Sequence, residues 1–302
     1  MLYRITHTTR FEYDEPAYDS QNELRMRPWD RDGQRCLAFD LTADQPVSIF
    51  TFADFFGNQT HSLSVSPVHA KLAIIARSTV ELTPPPTPGD CGVTFADFLR
   101  DDPIRNNVYF EYLNESRFIP FSERLRKFFW MARPNETEDV TAYVTRMAAY
   151  VRDQFEYETS KTHVHSNIND ILKSGGGVCQ DFAHLTIGIL RLAGIPSRYV
   201  SGYLAPAGGS PAAIDVSAQA SHAWLEAWLP GLGWTGFDPT HRCATDGRHI
   251  GVAVGRDYGD VPPLRGVFRS DGTTSAMSVD LSVERADGGG SPGGPAMGQA
   301  QQ

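Results

Sequence analysis

The run Pro84-Pro85-Pro86-Thr87-Pro88-Gly89 limits what this chain can fold into more than any other stretch of it. Its prolines lack the backbone N–H and hold φ near −65°, so neither a helix interior nor a central strand can pass through, and a stiff extended connector is predicted. The patterning changes across it. Before it, Leu24 and Met26 alternate with Glu23, Arg25 and Arg27, and Leu63 and Val65 alternate with Ser62, Ser64 and Ser66, which is the period of half-buried strands. Asp32-Gly33 and Gly57-Asn58 supply turns, and residues 69–82 read as a further long strand. After it, Val140, Tyr143, Val144, Met147 and Val151 recur at helical spacing behind candidate caps Asn135 or Thr137. A second helix is expected from Cys179 to the stop at Gly194 and Pro196. Its Phe182, Leu185, Ile189 and Leu192 make one apolar face, yet Ala183, Ile187 and Leu190 are apolar too, so it should be buried nearly all round. Strand-like runs follow at 197–204, 220–229 and 234–238.

The predicted class is α+β. An antiparallel β domain spans residues 1–83, the connector 84–90, and a second domain, with helices before strands, 91–270. The C-terminal extension 271–302 ends in a stretch, 287–302, that is half Gly or Pro and is expected to be disordered. A length of 302 residues accommodates this division. The 27 basic and 36 acidic residues leave a formal charge of −9 with no local basic patch, so neither nucleic acid nor a membrane surface is an expected partner. The first residues lack the apolar run of a signal peptide, and no run approaches the roughly 20 apolar residues of a membrane span. A cytoplasmic protein is expected. Cys36, Cys91, Cys179 and Cys243 are widely spaced with no CxxC, which in a reducing compartment means free thiols.

Among these cysteines Cys179 stands apart, because it follows Gly175-Gly176-Gly177 and opens a helix. Unpaired N–H groups and the positive end of the helix dipole favour an anion there, and the same N–H groups suit an oxyanion. The alternative is a small buried hydrophobe. A nucleophilic thiol needs a base and a group to orient that base. His184 sits five residues on, about 140° round the helix, and so reads as a hydrogen-bonded core histidine. His222 alternates with Trp224, Glu226 and Trp228 onto one strand face, which suits a positioned base. Asp238 ends the next strand just before Pro239, extended and able to accept from an imidazole.

These residues lie in motifs that resemble the bacterial transglutaminase-like cysteine protease family. The motifs are Gly177-Val178-Cys179-Gln180-Asp181-Phe182-Ala183-His184, Gly194-Ile195-Pro196 through Gly202-Tyr203, Ser221-His222-Ala223-Trp224, and Gly233-Trp234 through Asp238-Pro239-Thr240. Gly255-Arg256-Asp257-Tyr258 resembles its closing motif, and Asn22 through Pro28 with Asp54 through Asn58 resemble its N-terminal β region, so the likeness covers about residues 1–270. It implies a papain-like core, with the nucleophile at a central helix start and the His and Asp on following strands. Cys179 is then the nucleophile, His222 the base and Asp238 the orienter. One oxyanion donor would be the Cys179 backbone N–H. Animal transglutaminases add an upstream indole, but no Trp lies between Trp130 and Cys179, leaving His165, Thr162 or a backbone N–H. Gln180, Asp181, His184 and Trp224 would support the site.

The resemblance implies hydrolysis of peptide or amide bonds through a thioester on Cys179, with a peptide or protein as partner. Acyl transfer to a primary amine and a non-catalytic scaffold are the alternatives. Relatives are often encoded near ATP-grasp-type ligases, which implies a functional link to such an enzyme. His163-Val164-His165 and His241-Arg242-Cys243 have chelating spacing, but read as polar strand or loop residues, so no metal is expected. No acidic cluster has calcium-loop spacing, and no cofactor is expected.

Overall fold

One strand organises the N-terminal domain. In the computed structural model, which describes residues 1–31, 33–100, 107–206, 221–272 and 274–286, β1 (Leu2–Leu24) runs 23 residues. With β2 (Gln34–Ala43), β3 (Ser48–Ala53), β4 (Gln59–Val65) and β5 (His69–Leu82) it forms an antiparallel half-barrel in the order β2-β5-β1-β4-β3. Its first half pairs with β5, the register shifts between Glu12 and Ala17, and its last residues pair with β4. The alternation of Leu63 and Val65 with Ser62, Ser64 and Ser66 is an alternation of burial, whereas Arg25, between Leu24 and Met26, is itself buried in ion pairs with Glu23 and Asp54. Leu24, Met26, Leu63, Val65, Leu72 and Ile74 fill one core.

Past the connector, which forms no regular element, come α1 (Phe95–Arg100), α2 (Glu123–Ala132) and α3 (Val140–Gln154). The cap of α3 is Asp139, not Asn135 or Thr137, because its carboxylate accepts from the N–H groups of Thr141 and Ala142. A short parallel pair, β6 (Glu156–Tyr157) and β7 (Gly176–Gly177), brackets α4 (Ile168–Ser174) and leads into α5 (Cys179–Leu192). As expected, α5 is buried on every side. It packs on β8 (Ser197–Leu204) and β9 (His222–Leu229) and beneath α2 and α3. Those two strands join β10 (Gly233–Asp238), β11 (Cys243–Ala244) and β12 (His249–Gly255) in a second antiparallel sheet, ordered β11-β10-β9-β8-β12.

The C-terminal strands depart from the expected boundaries. β13 (Leu264–Ser270), expected in the second domain, and β14 (Ser275–Arg285), expected in the extension, both return to pair antiparallel with β1. The long flank of β1 would otherwise expose a row of unpaired backbone groups, and these strands cover it. The expected disorder of 287–302 lies outside the described residues.

The two sheets share a wall. The main core runs from Tyr3, Ile5, Val80 and Leu82 of the first sheet to α5. The free edge of β12 is closed by two side-chain amides of the N-terminal domain. Gln34 donates to the Gly251 carbonyl at 2.8 Å and accepts from its N–H at 2.8 Å. Asn58 does the same to Val254, again at 2.8 Å each way. A carboxamide carries the donor and acceptor of a peptide group, so each substitutes for a neighbouring strand. Asp54 fixes the Asn58 turn by accepting from Arg25, from the Phe56 and Asn58 N–H groups and from the Asn58 amide.

Candidate active site

Two glycines shape the approach to Cys179. Gly175 caps α4 in the left-handed region, at φ 75°. A Cβ on Gly177 would lie 2.5 Å from an Asp181 oxygen, so that position must stay bare for the carboxylate to reach back. Asp181 accepts there from the Val178 N–H at 2.9 Å and from the Thr162 hydroxyl at 2.6 Å, which satisfies the N-cap N–H of α5 by the reach-back half of a capping box, the N-cap valine having no side-chain acceptor. Burial pushes the Asp181 carboxyl up, and these two bonds oppose it. The glycines thus serve the helix start. Thr162, expected as an oxyanion donor, has its hydroxyl proton engaged by Asp181. His165 is exposed. The Gln180 amide donates to the Val164 carbonyl at 3.3 Å and tethers the 163–165 loop to the helix.

The Cys179 sulfur is half-buried at the first position of α5. The Cys179 side chain is one of the influences that raise the His222 imidazole. Its Nε2 donates to Asp238 Oδ2 at 2.8 Å, which leaves Nδ1 as the nitrogen that faces sulfur. Burial disfavours a charge on His222, yet the bonds to Asp238 and Cys179 outweigh it and carry the imidazole up to about 10. Asp238 is fully buried. Burial alone would raise its carboxyl, but three imidazoles, His222, His241 and His249, hold it well below the usual carboxylate range.

Two of those imidazoles are new. His241 Nδ1 bonds Asp238 Oδ2 at 2.7 Å and His249 Nε2 bonds it at 3.1 Å, while Oδ1 accepts from the N–H groups of Thr240 and His241. The sequence offered His241 only as half of a chelating pair and gave no sign of His249. Among the described residues, His222, Asp238 and His241 bring metal-type atoms within 4.8 Å of one another. Both nitrogens stand 2.7–2.8 Å from one shared oxygen, closer than the roughly 3.3 Å that ligands about 2.0 Å from a tetrahedral ion keep. These are hydrogen-bond donors, not metal ligands.

Trp224 walls the site. Its ring lies where a Cβ on Gly202 would meet it at 2.4 Å, with centroids 6.0 Å from His222 and 5.3 Å from His249. Tyr199, missed from the sequence, is buried beside the thiol. Burial, then the charge of Cys179, push its phenol well above the ordinary value, so it stays neutral. His184 is fully buried, and its Nε2 accepts from the Tyr258 N–H at 3.0 Å. A cavity of about 230 Å³ lies against the connector prolines, with Trp224 and His249 in its wall but neither Cys179 nor His222.

Residues 131–239 match the transglutaminase-like superfamily, and residues 3–81 match the bacterial transglutaminase-like N-terminal region. An uncharacterized protein of Mycobacterium tuberculosis is 32% identical over 301 residues, spanning 95% of this chain and 93% of that protein. The structure of a candidate cysteine protease from Cytophaga hutchinsonii superposes with a TM-score of 0.74 over 95% of this chain and 92% of that one, at 21% identity. A protein-glutamine gamma-glutamyltransferase of Pseudomonas aeruginosa is 40% identical over 74 residues, 23% of this chain and 11% of that protein. No helix among the described residues is long and apolar enough to cross a membrane.

Proposed function

Since the chain belongs to the transglutaminase-like superfamily and carries its bacterial N-terminal region, we propose that it is a cysteine hydrolase that cleaves peptide or amide bonds. The observation that carries the reading is the row Cys179, His222, Asp238, in which a carboxylate grips one ring nitrogen and the thiol meets the other. His222 takes the proton of the Cys179 thiol, the sulfur attacks the amide carbon, and the oxyanion is met by N–H groups at the start of α5. His222 protonates the departing nitrogen, the C–N bond breaks and a thioester remains. His222 then takes a proton from water, which attacks the same carbon. The C–S bond breaks, the acid leaves and the thiol is restored. Asp238 holds Nε2–H throughout, which keeps Nδ1 aimed at sulfur. Four unpaired cysteines support a reducing, cytoplasmic setting.

Acyl transfer to an amine is the second reading, favoured by the stretch shared with the Pseudomonas aeruginosa gamma-glutamyltransferase. Water at about 55 M competes with an amine at millimolar concentration unless the site binds the amine. The test is incubation with acyl-donor peptides and a labelled primary amine, with mass spectrometry of Cys179. An acyl adduct with free-acid release is expected. Dominant amine incorporation would replace hydrolysis by transfer, and no adduct with any donor would count against both.

A further inference from the structure

The hydrogen-bonded row does not stop at Asp238. Behind it His249, the first residue of β12, is buried to 1% side-chain exposure and spans two carboxylates. Its Nε2 meets Asp238 Oδ2 at 3.1 Å, and its Nδ1 lies 2.9 Å from Asp246 Oδ1 and accepts from the Asp246 N–H at 3.0 Å. Asp246 is held in turn by the backbone N–H of Arg248 at 2.9 Å and by its guanidinium at 3.0 Å. The order through space is therefore Asp246, His249, Asp238, His222, Cys179. We infer that His249, held by Asp246, is a positioning residue that acts through Asp238 on His222. The inference rests on the Cys179–His222–Asp238 reading of the site.

The surroundings decide the charge on His249. Asp238 faces it from β10 and Asp246 from the turn before it, where Arg248 is bound to Asp246. His222 and Trp224 face it from β9, at centroid distances of 6.2 and 5.3 Å. Cys243 on β11 lies near both carboxylates, and burial with those charges pushes its thiol up to about 11, so it is neutral. His241 bonds the same oxygen of Asp238 from the exposed side. Burial opposes a charge on His249, but the two carboxylates outweigh it and raise its pKa above the ordinary value. His249 Nε2 and His222 Nε2 bond the same oxygen, Asp238 Oδ2, at 3.1 and 2.8 Å, so the two rings share one acceptor. Two consequences follow: Oδ2 is fixed toward the His222 ring, and the hold of Asp238 on the His222 proton is weakened. That second effect matters because a proton must pass to the leaving nitrogen, and transfer is most efficient when the donor is not far more basic than the medium.

The experiment is a pH titration of the histidine side chains by ¹⁵N NMR on the full chain, with the rate of Cys179 alkylation by iodoacetamide measured in parallel. His249→Gln offers Asp238 a neutral amide donor, a weaker competitor for Oδ2 than the ring, so the His222 midpoint should rise by about one pH unit. Asp246→Asn, at a side chain 45% exposed, tests the same link where His249→Gln fails to fold, and should move the midpoint upward by less. A residue of structural value alone would lower the melting temperature and leave the His222 midpoint in place, and that result in both variants overturns the inference. His222→Ala separates the two readings. If it leaves the pH profile of Cys179 alkylation unchanged, the triad reading falls and this inference falls with it. If it alters the profile while neither variant moves His222, the triad stands and the role of His249 is refuted.

Discussion

Replacing Asp238 with Asn removes one charge and almost no volume, so it isolates what the carboxylate does. The amide oxygen can remain where Oδ1 accepts from the Thr240 and His241 N–H groups at 2.8 and 3.3 Å. The NH₂ group must then point at the spot where three imidazole donors meet. A donor cannot accept, so the Nε2–H of His222 loses its acceptor while the ring stays buried. With that bond gone only Cys179 opposes burial, and His222 falls from about 10. The neutral ring can turn an Nε2 lone pair to the new NH₂ group, which places Nδ1–H rather than a lone pair toward sulfur, and the combined loss is about 10²- to 10⁴-fold in turnover. The assay is iodoacetamide alkylation of Cys179, followed by peptide mapping across pH 6 to 8, with hydrolysis of any peptide found to acylate the enzyme. Alkylation near neutrality should fall at least about tenfold. A variant that folds and alkylates within about threefold of the parent would refute the claim that Asp238 sets the state of His222.

Three further outcomes are expected. Limited iodoacetamide at mildly acidic pH should label Cys179 well before Cys36 and Cys243, whose thiols burial raises, Cys243 to about 11; equal labelling in a peptide map would contradict an activated nucleophile. Asn58→Leu orphans both backbone groups of Val254 and should cost about 2–4 kcal/mol in urea unfolding. A cost below about 0.5 kcal/mol would show that the amide does not hold the edge of β12. His222 is raised from 6.5 to about 10, so its pairing stabilises the fold in full below about pH 6.5 and is lost as pH climbs through about 10. Asp238 lies well below its usual 3.8, so its contribution is present above that pH and lost as pH falls beneath it. Melting temperatures across pH should therefore drop at both ends, and Asp238→Asn should flatten the alkaline drop.

Local pattern carried the β half-barrel, α5 and the order of the later strands, because each is written in a period or a terminator along a few consecutive residues. The boundaries that failed depended on distant chain. Nothing local to 264–285 tells that β1 has an open flank waiting for β13 and β14. Asp139 displaced Asn135 and Thr137 as a cap because the last acceptor before the first helical turn wins, a matter of two to four residues. At the candidate site, the helix start at Cys179 and the meeting of His222 with Asp238 could be anticipated from three glycines, a strand face and a proline. The bond from the Thr162 hydroxyl to Asp181, 19 residues on, has no local signal, so Thr162 could be offered as an oxyanion donor.

His241 and His249 show why the remainder was hidden. Neither has a periodic partner, and both reach Asp238 only when β10, β11 and β12 are assembled. That assembly gives the N-terminal domain a physical connection to the chemistry. β12 is an edge strand, and only one of its flanks is paired within its sheet, by β8. The other is held at Gly251 by Gln34 and at Val254 by Asn58, two and five residues from His249. A strand tied at those points fixes the height and rotation of its first residue, and hence the angle at which His249 meets Asp238. The motif Asp54 through Asn58 shapes a turn remote from the thiol in sequence. Its energetic outlet is the strand that begins with His249.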